Sequence, residues 1–192
     1  DTPLCSEPPG PPRLPPGGDG RKAPERRCST ARHVSLRDTC LMSIIASPYF
    51  MGQLMDGLDV PTPHEVLSPE LPEGTPQERM GALYDHLARW VAGTEHPVVY
   101  AGDCVSIIGV LAGLERRGVL PTLIFFDAHG DFNTWETTPS GFIGGMPLAM
   151  VVGRGEQTIV DAARLTPVPA DRVILVDGRD LDPGEDTAIE RS

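Results

Sequence analysis

Asp127, His129 and Asp131 stand at alternate positions directly after the apolar run Leu123-Ile124-Phe125-Phe126. One short loop at the end of a strand can therefore aim two carboxylates and an imidazole at a common point. Carboxylate oxygens with one imidazole suit Mn²⁺, Mg²⁺ or Zn²⁺, and carboxylates able to bridge allow two ions that together activate a water. The same residue types also serve turns and helix starts, so the triplet alone admits a purely structural role.

The flanking pattern determines how such a triplet would be held. Met42-Ser43-Ile44-Ile45-Ala46 reads as a buried strand ending at Ser47-Pro48. Gln77 to Ala92 carries Met80, Leu83, Leu87, Trp90 and Val91 at helical spacing, after a Pro-rich loop from Pro61 to Pro76. Strands at Val98–Tyr100, Thr122–Phe126 and Arg172–Val176 then alternate with helices at Val105–Arg116, Met146–Val152 and Glu156–Arg164. That alternation predicts a three-layer α/β/α domain whose mostly parallel sheet is covered on both faces. In such sheets ligands sit at the carboxyl ends of the strands. Gly102-Asp103-Cys104, Asp127 to Asp131 and Gly178 to Asp182 all fall there, on one edge.

Composition narrows the chemistry. A chain of 192 residues with 40% apolar content holds one domain with a real core. Residues 1–41 carry five acids and seven bases, so the net charge of −11 comes from the remainder, with twenty-two acids and nine bases. An acidic domain disfavours nucleic acid and favours a small cationic partner. The only lysine is Lys22, so residues 42–192 offer none for a Schiff base or a phosphate loop. Cys5, Cys28, Cys40 and Cys104 are scattered without a Cys-x-x-Cys pair, which reads as reduced thiols. No apolar run is long enough for a bilayer and no signal pattern opens the chain, so no membrane association and a cytoplasmic address are expected. Residues 1 to about 35 hold eight prolines and four glycines, and 1–41 reads as a disordered tail. Met42, the first methionine, is a candidate start for the folded part.

The run Asp127-Ala128-His129-Gly130-Asp131-Phe132-Asn133-Thr134, with Thr137-Thr138-Pro139-Ser140-Gly141 and Gly145-Met146-Pro147, resembles a signature of the arginase (ureohydrolase) family. Ser43 to Ser47 is similar to the family's first strand, Ala101 to Ser106 to its Gly-Gly-Asp-His-Ser turn, and Arg179 to Glu185 to its Arg-Asp-Val-Asp-Pro-Gly-Glu loop. The resemblance covers residues 42 to about 186 in order. It implies that Asp127, His129 and Asp131 ligate a dimanganese centre whose bridging hydroxide, oriented by Asp131, attacks the central carbon of a guanidinium group. It further implies that Asn133 and Ser140 bind an amino acid's carboxylate, and that Asp182, with Glu185, lies near its α-amino group. A homo-oligomer acting on a guanidino or amidino compound is the corresponding expectation.

Three positions depart from the family pattern. Cys104 replaces a metal-binding histidine, which would favour a softer ion or fewer ions. Gly144 stands where arginases place a proton-shuttling histidine, and Phe142 replaces a polar residue that contacts substrate. The family's Asp-x-Asp signature would come well beyond Asp182, so residues 42–192 are expected to be the N-terminal part of a longer domain. Three functions follow as alternatives: a metal-dependent hydrolase of linear C–N bonds, a non-catalytic ligand-binding or subunit protein, and a single-metal amidohydrolase.

Overall fold

A computed structural model describes residues 42–192, and the expected tail at 1–41 lies outside the described residues. Ile44, Ile45 and Ala46 form the apolar centre of β1 (Ser43–Ser47), and a tight hairpin follows, β2 (Tyr49–Phe50) with β3 (Gln53–Leu54). Both central hairpin residues, Met51 and Gly52, have positive φ, as a two-residue loop matching the strand twist requires. Parallel pairing joins β1 to β4 (Glu65–Val66) on one side and to β5 (Pro97–Ala101) on the other.

Between them runs α1 (Pro76–Ala92). Thr75 and Glu78 form a reciprocal capping box, and Pro76 supplies the fixed φ suited to a first turn. Met80, Leu83, Tyr84, Leu87 and Val91 make its buried stripe. A 3₁₀ turn at Cys104–Ser106 leads into α2 (Ile107–Arg116). This helix lies close on α1 because Gly109 and Gly113 lack side chains; a Cβ at Gly113 would stand 2.5 Å from Val91 Cβ.

Asp85 of α1 collects three guanidinium groups: Arg116 at 2.6 Å, Arg164 at 3.4 Å, and Arg89 one turn along the same helix. Burial works to raise the Asp85 carboxyl, but the Arg116 hydrogen bond and the three positive charges outweigh it and hold the carboxyl below its ordinary value. A depressed folded pKa contributes stability above the unfolded pKa and loses it as pH falls through the folded one. Asp85→Asn should therefore destabilise the chain by about 1 kcal/mol at pH 7 and by progressively less below about pH 4. Urea titrations at both pH values check this.

The second half contains β6 (Leu123–Asp127), α3 (Pro147–Val151), α4 (Thr158–Ala163), β7 (Val173–Asp177) and α5 (Glu185–Glu190). β6 and β7 pair in parallel, with Asp127 opposite Asp177. Parallel strand pairs with helices between them give the α/β class expected from the alternation. Among the described residues, β4-β1-β5 and β6-β7 form separate parallel ladders. Only one face of the β6-β7 pair is covered: Leu123, Phe125, Val173 and Leu175 pack towards Phe132, Leu148 and Ala149. On the opposite face Ile124, Phe126 and Ile174 are exposed. Apolar residues on both faces gave strong strand patterns without revealing which face would be covered. Phe126, 77% exposed, should tolerate alanine within about 0.5 kcal/mol. Phe125→Ala, which empties a packed position, should cost about 2–3 kcal/mol in the same denaturation assay.

Candidate metal centre and its cleft

The loop from Asp127 to Asn133 is clamped at nearly every residue. At the carboxyl end of β6, Asp127 Oδ1 accepts the His129 backbone N–H at 2.9 Å and lies 3.1 Å from His129 Nδ1. That local turn aims both side chains the same way. The backbone of Asp131 is at φ 49, a left-handed conformation uncommon for a residue with a side chain. It is fixed there because its carbonyl accepts the amides of Leu148, at 2.9 Å, and Ala149, at 3.2 Å, in the first turn of α3. The Asn133 amide donates to the Gly145 carbonyl at 3.1 Å.

Glu185, at the start of α5, closes the clamp. Its buried carboxylate accepts the Phe132 amide at 2.9 Å through Oε1 and the Asp182 amide at 2.8 Å through Oε2. Gly130 lies directly beneath it; a Cβ there would be 2.9 Å from the Glu185 carboxyl carbon. The loop after β7 is tied in as well, with Gly178 N–H donating to Asp127 O and Asp180 N–H to Ala128 O, each at 2.8 Å.

These constraints bring one ligand atom each of Asp127, His129 and Asp131 within 4.8 Å of one another. Asp131 is 5% exposed, and among the described residues its Oδ2 has no hydrogen-bond partner. Burial pushes the Asp131 carboxyl up to about 6; the charge of Asp127 adds to this, while Cys104 and His129 oppose it. A buried carboxylate oxygen facing other acids without a donor is costly unless a cation meets it. The donor set and this orphaned oxygen therefore fit a divalent metal.

Cys104, Asn133, Ser140 and Asp182 line the same cleft of about 500 Å³ as the triplet. Each also has partners within the chain. The Cys104 sulfur is outside the ligand group and donates to the Gly144 carbonyl at 3.2 Å. Burial, reinforced by the nearby Asp131 and Asp103 charges, holds Cys104 well above the ordinary thiol range, as a thiol. Asn133 donates to Asp182 Oδ2 at 2.8 Å and accepts from Thr137 Oγ1 at 3.0 Å, so both ends of its amide are engaged. Ser140 Oγ accepts the Phe142 amide at 3.2 Å.

Two contributors escaped the sequence reading. Asp180 reaches the cleft wall, 4.0 Å from His129 Nε2; its place after a strand was the available signal. Phe50 of β2 stacks on Phe142 with ring centroids 6.4 Å apart, a contact between segments distant in sequence that no local pattern announces.

The family model described as "Arginase family" matches residues 42–191. Arginase from Bacillus subtilis (strain 168) is 41% identical over 97 residues, covering 50% of this chain and 33% of that protein. Bacillus caldovelox arginase is 38% identical over 109 residues, covering 56% and 36% respectively. The solved structure of the Bacillus caldovelox enzyme superposes with a TM-score of 0.65 at 29% identity, covering 78% of this chain and 62% of that one. A Bacillus subtilis arginase structure gives 0.63 at 30% identity, covering 79% and 60%. The matched region spans about a third of the curated relatives and about three-fifths of the solved chains. Among the described residues no helix is long and apolar enough to cross a membrane. The match runs through the loop after β6, with Asp127, His129 and Asp131, and the loop after β7, and on that extent the chain belongs to the arginase family.

Proposed function

We propose that the chain carries the metal-binding half of a hydrolase acting on the linear C–N bond of a guanidine or amidine. The observation that supports this most is the orphaned, buried Asp131 Oδ2 at the mouth of a triplet whose donors suit a divalent ion. Asp127, His129 and Asp131 would hold the metal, with manganese as the family precedent. The ion, when bound, makes a water nucleophilic at neutral pH.

The chain's own groups do the rest. Five acids, Asp127, Asp131, Asp180, Asp182 and Glu185, line the cleft without a lysine or arginine among them, so a planar cation is drawn in. The Asp131 carboxylate would also orient the attacking water and take up its proton. Addition to the central carbon and loss of an amine, which takes up that proton, leaves urea from a guanidine. With the Cys104 sulfur outside the ligand group, the arrangement favours one ion over two.

Urea and ammonia should be released from guanidines and amidines in the presence of Mn²⁺ and not after chelation. Bound Mn²⁺ with no release from any substrate would instead support the non-catalytic reading.

A further inference from the structure

Gly144 and Phe142 behave as one unit. A Cβ placed on Gly144 would lie 2.3 Å from Phe142 Cε1 and 2.6 Å from its Cζ, so the aromatic ring occupies the space that a side chain at 144 would need. The ring is 48% exposed and stacks at an interplanar angle of 26° on Phe50, itself 46% exposed. Phe50 is held by the hairpin. Met51, at φ 51, donates its amide to Asp103 Oδ2 at 2.9 Å, and a Cβ on Gly102 would meet the Tyr49 carbonyl at 2.4 Å. The cleft therefore has an anchored apolar wall beside the metal-ligand triplet.

The polar groups nearby are poorly suited to an anionic tail. Asn133 keeps one amide N–H and Ser140 its hydroxyl hydrogen to offer, two neutral donors against five acids. Among the described residues no lysine or arginine lines the cleft. A substrate carboxylate would meet acids and a half-exposed ring, whereas an uncharged ring or alkyl chain would bury apolar surface against Phe142.

Resting on the reading that the cleft takes a guanidinium head, we infer that its substrates carry an uncharged, apolar tail, aromatic by preference, packed on the Phe50–Phe142 wall. Phe142 sets this specificity. Benzylguanidinium, methylguanidinium and arginine serve as probes, with binding to the Mn²⁺-loaded chain followed by calorimetry. Benzylguanidinium should bind at least about tenfold more tightly than arginine and severalfold more tightly than methylguanidinium. Phe142→Ala should bring the benzyl-to-methyl ratio close to one, and Phe142→Tyr, which keeps the ring, should preserve it. Circular dichroism on each variant separates lost binding from lost fold. Arginine binding as tightly as benzylguanidinium, or an unchanged ratio in a folded Phe142→Ala, would overturn the inference. Mn²⁺ occupancy and urea release on the same samples report on the hydrolase reading separately. A benzyl preference without urea release would sink that reading alone, and no binding of any probe would overturn both.

Discussion

Asp131→Asn is expected to leave the metal-free chain slightly more stable than the parent while reducing Mn²⁺ affinity by about 100-fold or more. Asparagine matches aspartate in shape and is among the few side chains that accept the left-handed backbone found there, at φ 49. The substitution removes a buried charge whose Oδ2 has no donor and whose near neighbours include Asp127. Relief of that charge should raise stability by about 1 kcal/mol, or about 3 °C in Tm for a domain of this size. Metal affinity moves the other way because the ion loses an anionic ligand. Opposite movements of stability and binding mark a residue kept for its site. A metal-free Asp131→Asn protein less stable than the parent would show that the carboxylate holds the fold instead. Differential scanning calorimetry with and without Mn²⁺ reads both effects.

Glu185→Ala should cost about 2–4 kcal/mol, the largest loss expected from any single side chain in the cleft. It strips acceptors from the Phe132 and Asp182 amides together, and buried donors left unpaired bear a full desolvation penalty. Gly130→Ala should cost about 1–3 kcal/mol, because its methyl would press into the Glu185 carboxylate at 2.9 Å. The clash needs both partners. Combining the two changes should therefore destabilise by about 1 kcal/mol less than the sum of the single changes, measured as a double-mutant cycle by urea denaturation. Strict additivity would show that Gly130 is needed for some reason other than room for Glu185.

Much of the site could be read from local patterns. An apolar strand before Asp127 placed the triplet at a strand's carboxyl end, and the spacing of Met80, Leu83, Leu87 and Val91 marked α1. Residues set by distant contacts were not readable. The resemblance implies that Glu185, with Asp182, lies near a substrate amine; that its carboxylate also joins the loops after β6 and β7 depends on contacts no local pattern announces. The partners that hold the Asn133 amide, Asp182 and Thr137, were likewise not readable from its loop position. Which faces of the strands are covered also escaped. Ile124 and Phe126 are as apolar as Leu123 and Phe125, and only the placement of Phe132, Leu148 and Ala149 distinguishes the two sides. The hairpin that brings Phe50 to Phe142 depends on Met51 adopting a positive φ, which its residue type does not favour.

The central claim is that Asp127, His129 and Asp131 form one metal site. Anomalous diffraction from crystals of the chain grown with Mn²⁺ tests it most directly. A manganese peak in direct coordination with both carboxylates and the His129 imidazole is expected, as is its disappearance in Asp131→Asn crystals. A fully ordered triplet with no peak beside it, or a peak held by Asp180 and Asp182 instead, would contradict it.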